Sequence, residues 1–349
     1  MYSLLRSLLF RLDPETAHQF TLQLLRIGGI EPMHSILRAI YTVPTKPVQA
    51  FGLTFKNPIG LAAGYDKNAV AIKGLSALGF GHVEVGTVTP KPQPGNPRPR
   101  VFRLLEDKAV INRMGFPSMG MQYVSKQLAV SRKKMNSDQL SVVVGVNLGK
   151  NRETNLEDAP EDYISLMKTF APLADYLTIN ISSPNTVGLR RLQGREMLEQ
   201  LLSAIQKERE TSLTPLPSPS GRGRLIPILV KISPDLSEEE LDDAVGAILD
   251  KGMEGIIATN TTLAREGLRS KYQSESGGLS GSPLRVQSKA VLRQVVKRAN
   301  GKVPIISVGG IMNPEDAKRR LELGATLIQL YTGLIYQGPG LVKRILEGG

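Results

Sequence analysis

The sequence predicts an α/β chain, a (β/α)8 TIM barrel preceded by a small N-terminal helical module. Three observations carry this. From Pro58 onward, eight short β-rich apolar runs alternate with helix-period segments, at residues 58–63, 82–88, 141–148, 176–182, 227–232, 255–261, 304–308 and 327–332. Strands separated by helices in this way form a parallel sheet, and the roughly 250 residues of an eight-stranded barrel fit the space available. Nearly every run ends in glycines, amides or hydroxyls, the pattern of a barrel that gathers its chemistry at one rim. A doubly wound sheet is the alternative, but no run leads into a Gly-x-Gly-x-x-Gly turn.

The elements before the barrel follow from local signals. Leu4, Leu5, Leu8, Leu9 and Leu12 share one face of a first helix, with Arg6 and Arg11 off it. Asp13-Pro14-Glu15 reads as cap, first helical position and first-turn acid of a second helix, which Gly28-Gly29 ends. That helix carries Phe20, Leu24 and Ile27 on one stripe and His18, Leu22 and Leu25 on the next, and a third helix is expected over 32–40. Residues 1–43 thus form a module that either packs on the barrel or lies in a membrane interface. No segment reaches the ~20 apolar residues of a membrane span. Residues 44–349 form the barrel, with two departures from a simple repeat. The stretch 89–112 holds five prolines and two apolar runs, expected as a hairpin laid across the barrel. The stretch 212–224, rich in Pro, Ser and Gly, is expected as a disordered surface loop between a helix and the fifth strand.

Composition narrows the chemistry. A chain of 349 residues, 41% hydrophobic and 22% charged, buries a large core. It has no Cys, which excludes disulfides, thiolate nucleophiles, Cys-ligated zinc and iron–sulfur clusters. Its three His residues are far apart in sequence, which argues against a His-based metal site, and none is expected. The net charge of +12 is spread along a chain with no Trp and no nucleic-acid motif, so no nucleic-acid partner is expected. An anionic substrate, a phosphorylated cofactor or an anionic membrane surface accounts for the excess as well.

The rim carries the functional signal. In strand order it offers Ala63-Gly64 with Lys67, then Gly86-Thr87, Asn147, Asn180 with Ser183, Lys231, Thr259-Asn260-Thr261, Gly309-Gly310 and Tyr331-Thr332-Gly333. This is a pocket of neutral amides and hydroxyls with two lysines, without the carboxylate pair of a glycosidase or a metal cage. The glycines after the last two strands suit a phosphate. Each element has a structural explanation, such as a turn, a surface lysine or a satisfied core amide. Eight coincidences on one rim are harder to accept than one site.

The chain resembles the class 2, quinone-dependent dihydroorotate dehydrogenases over nearly its whole length. The runs that carry the resemblance are Gly60-Leu61-Ala62-Ala63-Gly64, Asn112-Arg113-Met114-Gly115-Phe116, Asn180 to Asn185, Val230-Lys231-Ile232 and Ala258-Thr259-Asn260-Thr261-Thr262. The resemblance implies oxidation of (S)-dihydroorotate to orotate in pyrimidine (UMP) biosynthesis, with FMN as cofactor and membrane ubiquinone or menaquinone as acceptor. It implies FMN contacts from Ala63, Gly64, Thr87, Asn147, Asn180, Lys231, Thr259, Gly281, Gly310, Tyr331 and Thr332. Dihydroorotate contacts would come from Lys67, Asn112, Arg113, Met114, Gly115, Phe116, Asn180, Asn185, Asn260 and Thr261, with Ser183 as catalytic base. His18, Arg103 and Tyr331, with Tyr336, would face the quinone at the inner end of the helical module. Peripheral attachment to the cytoplasmic face of the cell inner membrane follows, with no obligate protein partner. A flavin-dependent tRNA dihydrouridine synthase on the same fold would want a catalytic Cys, which is absent. A class 1 enzyme is disfavoured by Ser183, and a non-enzymatic basic membrane scaffold leaves the polar rim unexplained.

Overall fold

The computed structural model describes residues 2–135, 142–212 and 225–348, so the expected loop at 212–224 lies outside the described residues apart from its first position. Three helices open the chain: α1 (Tyr2–Leu9), α2 (Pro14–Gly28) and α3 (Met33–Ile40). The start of α2 is set as its sequence dictates. Asp13 Oδ1 accepts from the Thr16 amide at 3.0 Å, and Pro14 occupies a position that needs no hydrogen-bond donor. A hairpin of β1 (Val48–Ala50) and β2 (Leu53–Phe55) follows, then β3 (Ile59–Leu61) and α4 (Ile72–Ser76). The second helix lies so close on α4 that a Cβ on Gly74 would stand 1.9 Å from the Leu25 carbonyl oxygen. Only glycine permits that approach.

The chain continues through β4 (His82–Val88), β5 (Val101–Leu104), β6 (Ala109–Asn112), α5 (Met121–Met135), β7 (Val143–Leu148), α6 (Ala159–Phe170), β8 (Tyr176–Asn180), α7 (Arg195–Ser212) and β9 (Ile228–Ile232). It ends with α8 (Glu238–Asp250), β10 (Gly255–Ala258), β11 (Gly278–Gly281), α9 (Arg285–Ala299), β12 (Ile305–Val308), α10 (Pro314–Glu322), β13 (Leu327–Leu330), α11 (Thr332–Gln337) and α12 (Leu341–Glu347). Strands β3, β4, β7, β8, β9, β10, β12 and β13 pair in parallel in chain order, and β13 closes on β3. This is the expected barrel. All eight strands fall inside the apolar runs read from the sequence, but several are shorter. The run 176–182 leaves the ladder after Asn180, 255–261 after Ala258, and 327–332 after Leu330, because the chain there turns over the barrel mouth.

Two sheets outside the barrel complete it. The excursion at 89–112 is the expected hairpin, with β5 and β6 antiparallel, and β11 adds a third strand that sequence reading missed. At the other end, the β1–β2 hairpin, also missed, plugs the barrel. Phe51 and Phe55 pack there with Tyr176, Leu229, Ile257, Ile306 and Leu327. The main apolar core lies between the barrel strands and the outer helices. With one end plugged, the open end is left to the polar rim and the three-stranded sheet.

Candidate active site

The C-terminal rim encloses a cavity of about 140 Å³ that opens to solvent. Ala63, Gly64, Thr87, Asn180, Lys231, Thr259, Gly281, Gly310, Tyr331 and Thr332 all line it. So do Lys67, Asn112, Met114, Gly115, Phe116, Ser183, Asn185, Asn260 and Thr261. Two expected residues stand elsewhere. Asn147 lies one layer below, fully buried, and acts through its neighbours. The Arg113 side chain turns away from the cavity to pair with Glu275 and stack over the Phe102 ring, 4.6 Å from its centroid. What Arg113 leaves to the cavity is its place in the β6 loop, not its charge.

The amides at the rim are held in a chain of hydrogen bonds. Asn147 Oδ1 accepts from Thr87 Oγ1 at 2.6 Å and from Asn180 Nδ2 at 2.9 Å. Asn180 Oδ1 accepts from Asn260 Nδ2 at 3.3 Å, and Asn260 Nδ2 also donates to Ser182 Oγ at 3.0 Å. Asn185 Nδ2 donates to Asn112 Oδ1 at 3.2 Å, which joins the β8 loop to the mouth-covering sheet. Such a wall of alternating amide donors and acceptors complements a ring that carries N–H and C=O groups in turn. Ser183 is 5% exposed, and its Oγ accepts from the Asn185 amide at 3.3 Å. Among the described residues that is its one hydrogen bond, so the hydroxyl proton is free to point into the cavity.

Two cations meet this neutral wall. Lys67 donates to the Gly64 carbonyl, and burial pulls its ammonium down to about 8, opposed by the charge of Glu15. Lys231, 5% exposed on β9, is also pulled below the ordinary lysine range by burial, with Glu84 acting to restore it. The Lys231 ammonium makes no hydrogen bond among the described residues. A buried, unpaired ammonium facing a cavity has a strong preference for an anionic ligand. Opposite, Gly310 has a φ of +71° and Gly281 a φ of +97°, and a Cβ on Gly310 would lie 2.4 Å from Arg285 Cα. Glycines at these positions leave the main chain open to close approach from the cavity.

A second cavity, of about 350 Å³, lies under the N-terminal helices and is mostly apolar. Leu5, Leu9, Phe10, Leu24, Leu25, His18, Arg103 and Tyr331 contribute to its lining. Lys67, Asn112, Met114 and Tyr331 line both cavities, so one thin wall separates them. His18 is pushed down to about 3, first by burial and then by Lys67, and its ring meets Tyr65 edge to face at 5.0 Å. It is therefore a neutral imidazole at any physiological pH. Arg103 donates to the Leu9 carbonyl at 3.1 Å and to that of Leu12, and stacks over Phe10 at 4.7 Å. It satisfies the end of α1 and positions it on β5. Tyr336 does not reach this cavity. Its hydroxyl lies 3.1 and 2.9 Å from the Leu104 and Ala109 carbonyls, so it secures the hairpin to α11 and is withdrawn as a quinone contact.

Sequence reading missed two acids. Glu84 is fully buried inside the barrel, below the rim. Its signal was a carboxylate in the middle of an apolar strand, His-Val-Glu-Val-Gly-Thr-Val. Glu15 was read as a first-turn acid of α2, which it is, but it also forms a buried ion pair. Both its oxygens accept from Arg100 at 2.8–3.2 Å, and Arg98 adds a contact at 3.2 Å.

With this geometry established, comparison with known proteins gives a consistent result. The family model for dihydroorotate dehydrogenase matches residues 46–348. The chain is 48% identical to the dihydroorotate dehydrogenase (quinone) of Roseiflexus sp. (strain RS-1), covering 100% of this chain and 93% of that one. It is 46% identical to the dihydroorotate dehydrogenase (quinone) of Azotobacter vinelandii, covering 99% and 96%. Among solved structures, the DHODH of Eimeria tenella in complex with ferulenol superposes with a TM-score of 0.87 at 41% identity, covering 97% of this chain and 93% of that one.

Proposed function

The chain belongs to the dihydroorotate dehydrogenase family, and from that premise we propose that it oxidises (S)-dihydroorotate to orotate in pyrimidine biosynthesis, holding FMN in the rim cavity and passing the electrons to a membrane quinone. The observation that carries this reading is the pair of cavities with a shared wall. One is the more polar of the two and carries two lysines, Lys67 and Lys231; the other is apolar and opens among helices that face solvent with leucines. When bound, FMN supplies the two-electron relay between them, taking the C6 hydride of the substrate.

The protein's residues do the rest. Lys67 would balance the substrate carboxylate, while Asn112, Asn185 and Asn260 would orient the ring by amide pairing. The main-chain N–H groups of residues 114–116 would approach the same ligand. Ser183, itself 5% exposed, would take the C5 proton. Lys231 fits the flavin: it is a buried cation with no partner of its own, suited to the negative charge of a reduced ring. Gly281 and Gly310 suit the cofactor phosphate. His18, Arg103 and Tyr331 would meet the quinone head, with the imidazole of His18 neutral.

Location follows from the N-terminal helices. No helix among the described residues is long and apolar enough to cross a membrane. Leu4, Leu8, Phe20, Leu24, Ile27 and Ile36 are nevertheless about half exposed or more. A surface of that kind inserts its side chains into a lipid interface without spanning it, and Arg6, Arg11 and Arg26 beside it suit anionic headgroups. Peripheral attachment to the cytoplasmic face of the cell inner membrane is the expected location.

Purified protein should be yellow. Under anaerobic conditions dihydroorotate should bleach it, and a ubiquinone or menaquinone analogue should then restore the colour. A colourless protein that does not take up FMN, or a yellow one that dihydroorotate leaves oxidised, ends this reading.

A further inference from the structure

The amide wall of the rim cavity has an orientation problem. An asparagine side chain can present its oxygen or its nitrogen to a neighbour, and an Asn–Asn contact is equally satisfied when both are flipped. At Asn147, at the foot of the chain Asn147–Asn180–Asn260, the choice is open: a flipped amide would turn its NH2 against that of Asn180 and break the chain.

Glu84 removes that ambiguity. Its carboxylate is an acceptor only, and it is fully buried at the foot of the network. One oxygen accepts from Asn147 Nδ2 at 2.8 Å; the other accepts from the Tyr176 hydroxyl at 3.1 Å and from Gln329 Nε2 at 2.9 Å. Asn147 must therefore point its NH2 down toward Glu84 and its carbonyl oxygen up. That oxygen can only accept, so Thr87 and Asn180 donate to it. Asn180 is then left with its own oxygen toward Asn260, which donates in turn and turns its Oδ1 to the Thr261 amide at 2.8 Å. The Ser182 amide donates to Asn180 Oδ1 at 3.4 Å and the Thr261 amide to Asn260 Oδ1, so the backbone holds the upper end in this sense while Glu84 holds the foot, at Asn147.

We propose that Glu84 is a positioning residue: from beneath the cavity it sets the donor–acceptor sense of Asn147, and through Asn147 it holds Thr87 and Asn180 in place at the cavity wall. The inference rests on the reading of the cavity as a flavin and pyrimidine site. Its consequences are a fixed amide pattern at the foot of the cavity wall and, because Glu84 is a buried negative charge beneath the cavity, a lowered reduction potential for bound flavin.

The test uses the full-length FMN-loaded protein and two readouts independent of turnover: the affinity for orotate, and the midpoint potential of bound FMN. Glu84→Gln keeps the shape but can donate to Asn147, which is then free to flip and lose its contacts with Thr87 and Asn180. Orotate should bind about tenfold more weakly or worse. With the negative charge gone, the reduction equilibrium should move toward reduced flavin by about tenfold, ~30 mV for a two-electron couple. Glu84→Asp keeps the charge but reaches less far, so it should weaken orotate binding several-fold while holding the potential near wild type. Tyr176→Phe removes a donor on the far side of the carboxylate and should leave the potential unchanged. Should Glu84→Gln not fold, Glu84→Asp decides the matter: unchanged orotate affinity would overturn the proposal. So would Glu84→Gln with both readouts at wild-type values, or an Asp variant whose potential moves as far as that of the Gln variant. Wild-type protein that binds neither FMN nor orotate would instead overturn the functional reading.

Discussion

Lys67 shows how burial turns an ordinary residue into a ligand-dependent one. Its ammonium is pulled down to about 8 chiefly by burial. A substrate carboxylate requires the protonated form, so kcat/KM for dihydroorotate should fall as pH rises above about 8, roughly tenfold per unit, because that ratio reports the free enzyme. The fall should vanish in Lys67→Met, which should also bind orotate poorly; a pH profile unaffected by that substitution would remove Lys67 from the substrate site. Stability moves the other way. The native state releases this proton before the unfolded chain does, so from pH about 8 up to the ordinary lysine range the unfolded state holds more protons and stability from this group rises with pH. Below that window the cost of burying the charge is fully present, and Lys67→Met should melt higher than wild type at pH 7. Ser183→Ala should keep FMN but slow flavin reduction by dihydroorotate by about 10²–10⁴. Near wild-type single-turnover reduction would dismiss Ser183 as the base.

At the scale of elements, the N-terminal module and the mouth-covering hairpin are joined more tightly than their sequences suggest. Glu15 on α2 pairs with Arg100, which also donates to the Pro94 and Asn96 carbonyls at 2.7 and 2.8 Å. Asn96 in turn donates to the Arg113 and Asn185 carbonyls at 2.9 and 3.3 Å. One buried pair thus anchors the loops on both sides of the candidate substrate pocket. Breaking such a pair leaves an uncompensated charge and costs about 3–5 kcal/mol. Glu15→Ala should therefore lower Tm and raise the KM for dihydroorotate together; a change in quinone kinetics alone would show that the anchor is not transmitted. Deleting residues 1–40 should accordingly harm both half-reactions, because it removes Glu15. Elements with local signals were legible in sequence: the Asp13 cap, the eight apolar runs, the proline-rich hairpin. Strand β11 and the β1–β2 plug were not, since each is short and held by partners far along the chain. Glu15 was half legible for the same reason. Its local role is complete without Arg100, 85 residues away. Glu84 escaped because strand alternation does not tell the inside of a barrel from its helix-covered outside.

At the scale of the whole molecule, the rim site was legible because barrel topology collects eight strand ends in one place, whereas the wall shared by the two cavities depends on how α2 docks and could not be read from spacing. The division of labour across that wall is the central claim. Membrane attachment should depend on the exposed leucines and not on the barrel: Leu8, 61% exposed, can become Glu without loss of fold, and Leu8→Glu should reduce binding to anionic liposomes while flavin reduction by dihydroorotate stays at its wild-type rate. Equal liposome binding by both proteins would remove α1 from the interface.

The most direct measurement is of the two half-reactions apart, by anaerobic stopped flow on FMN-loaded wild type, Ser183→Ala and His18→Ala. The account predicts a crossed pattern. Ser183→Ala should slow bleaching by dihydroorotate while chemically reduced flavin is still reoxidised by quinone at the wild-type rate. His18→Ala should be bleached normally and should need more quinone for reoxidation. If both substitutions slow both halves alike, the two cavities do not divide the reaction between them, and the account is contradicted.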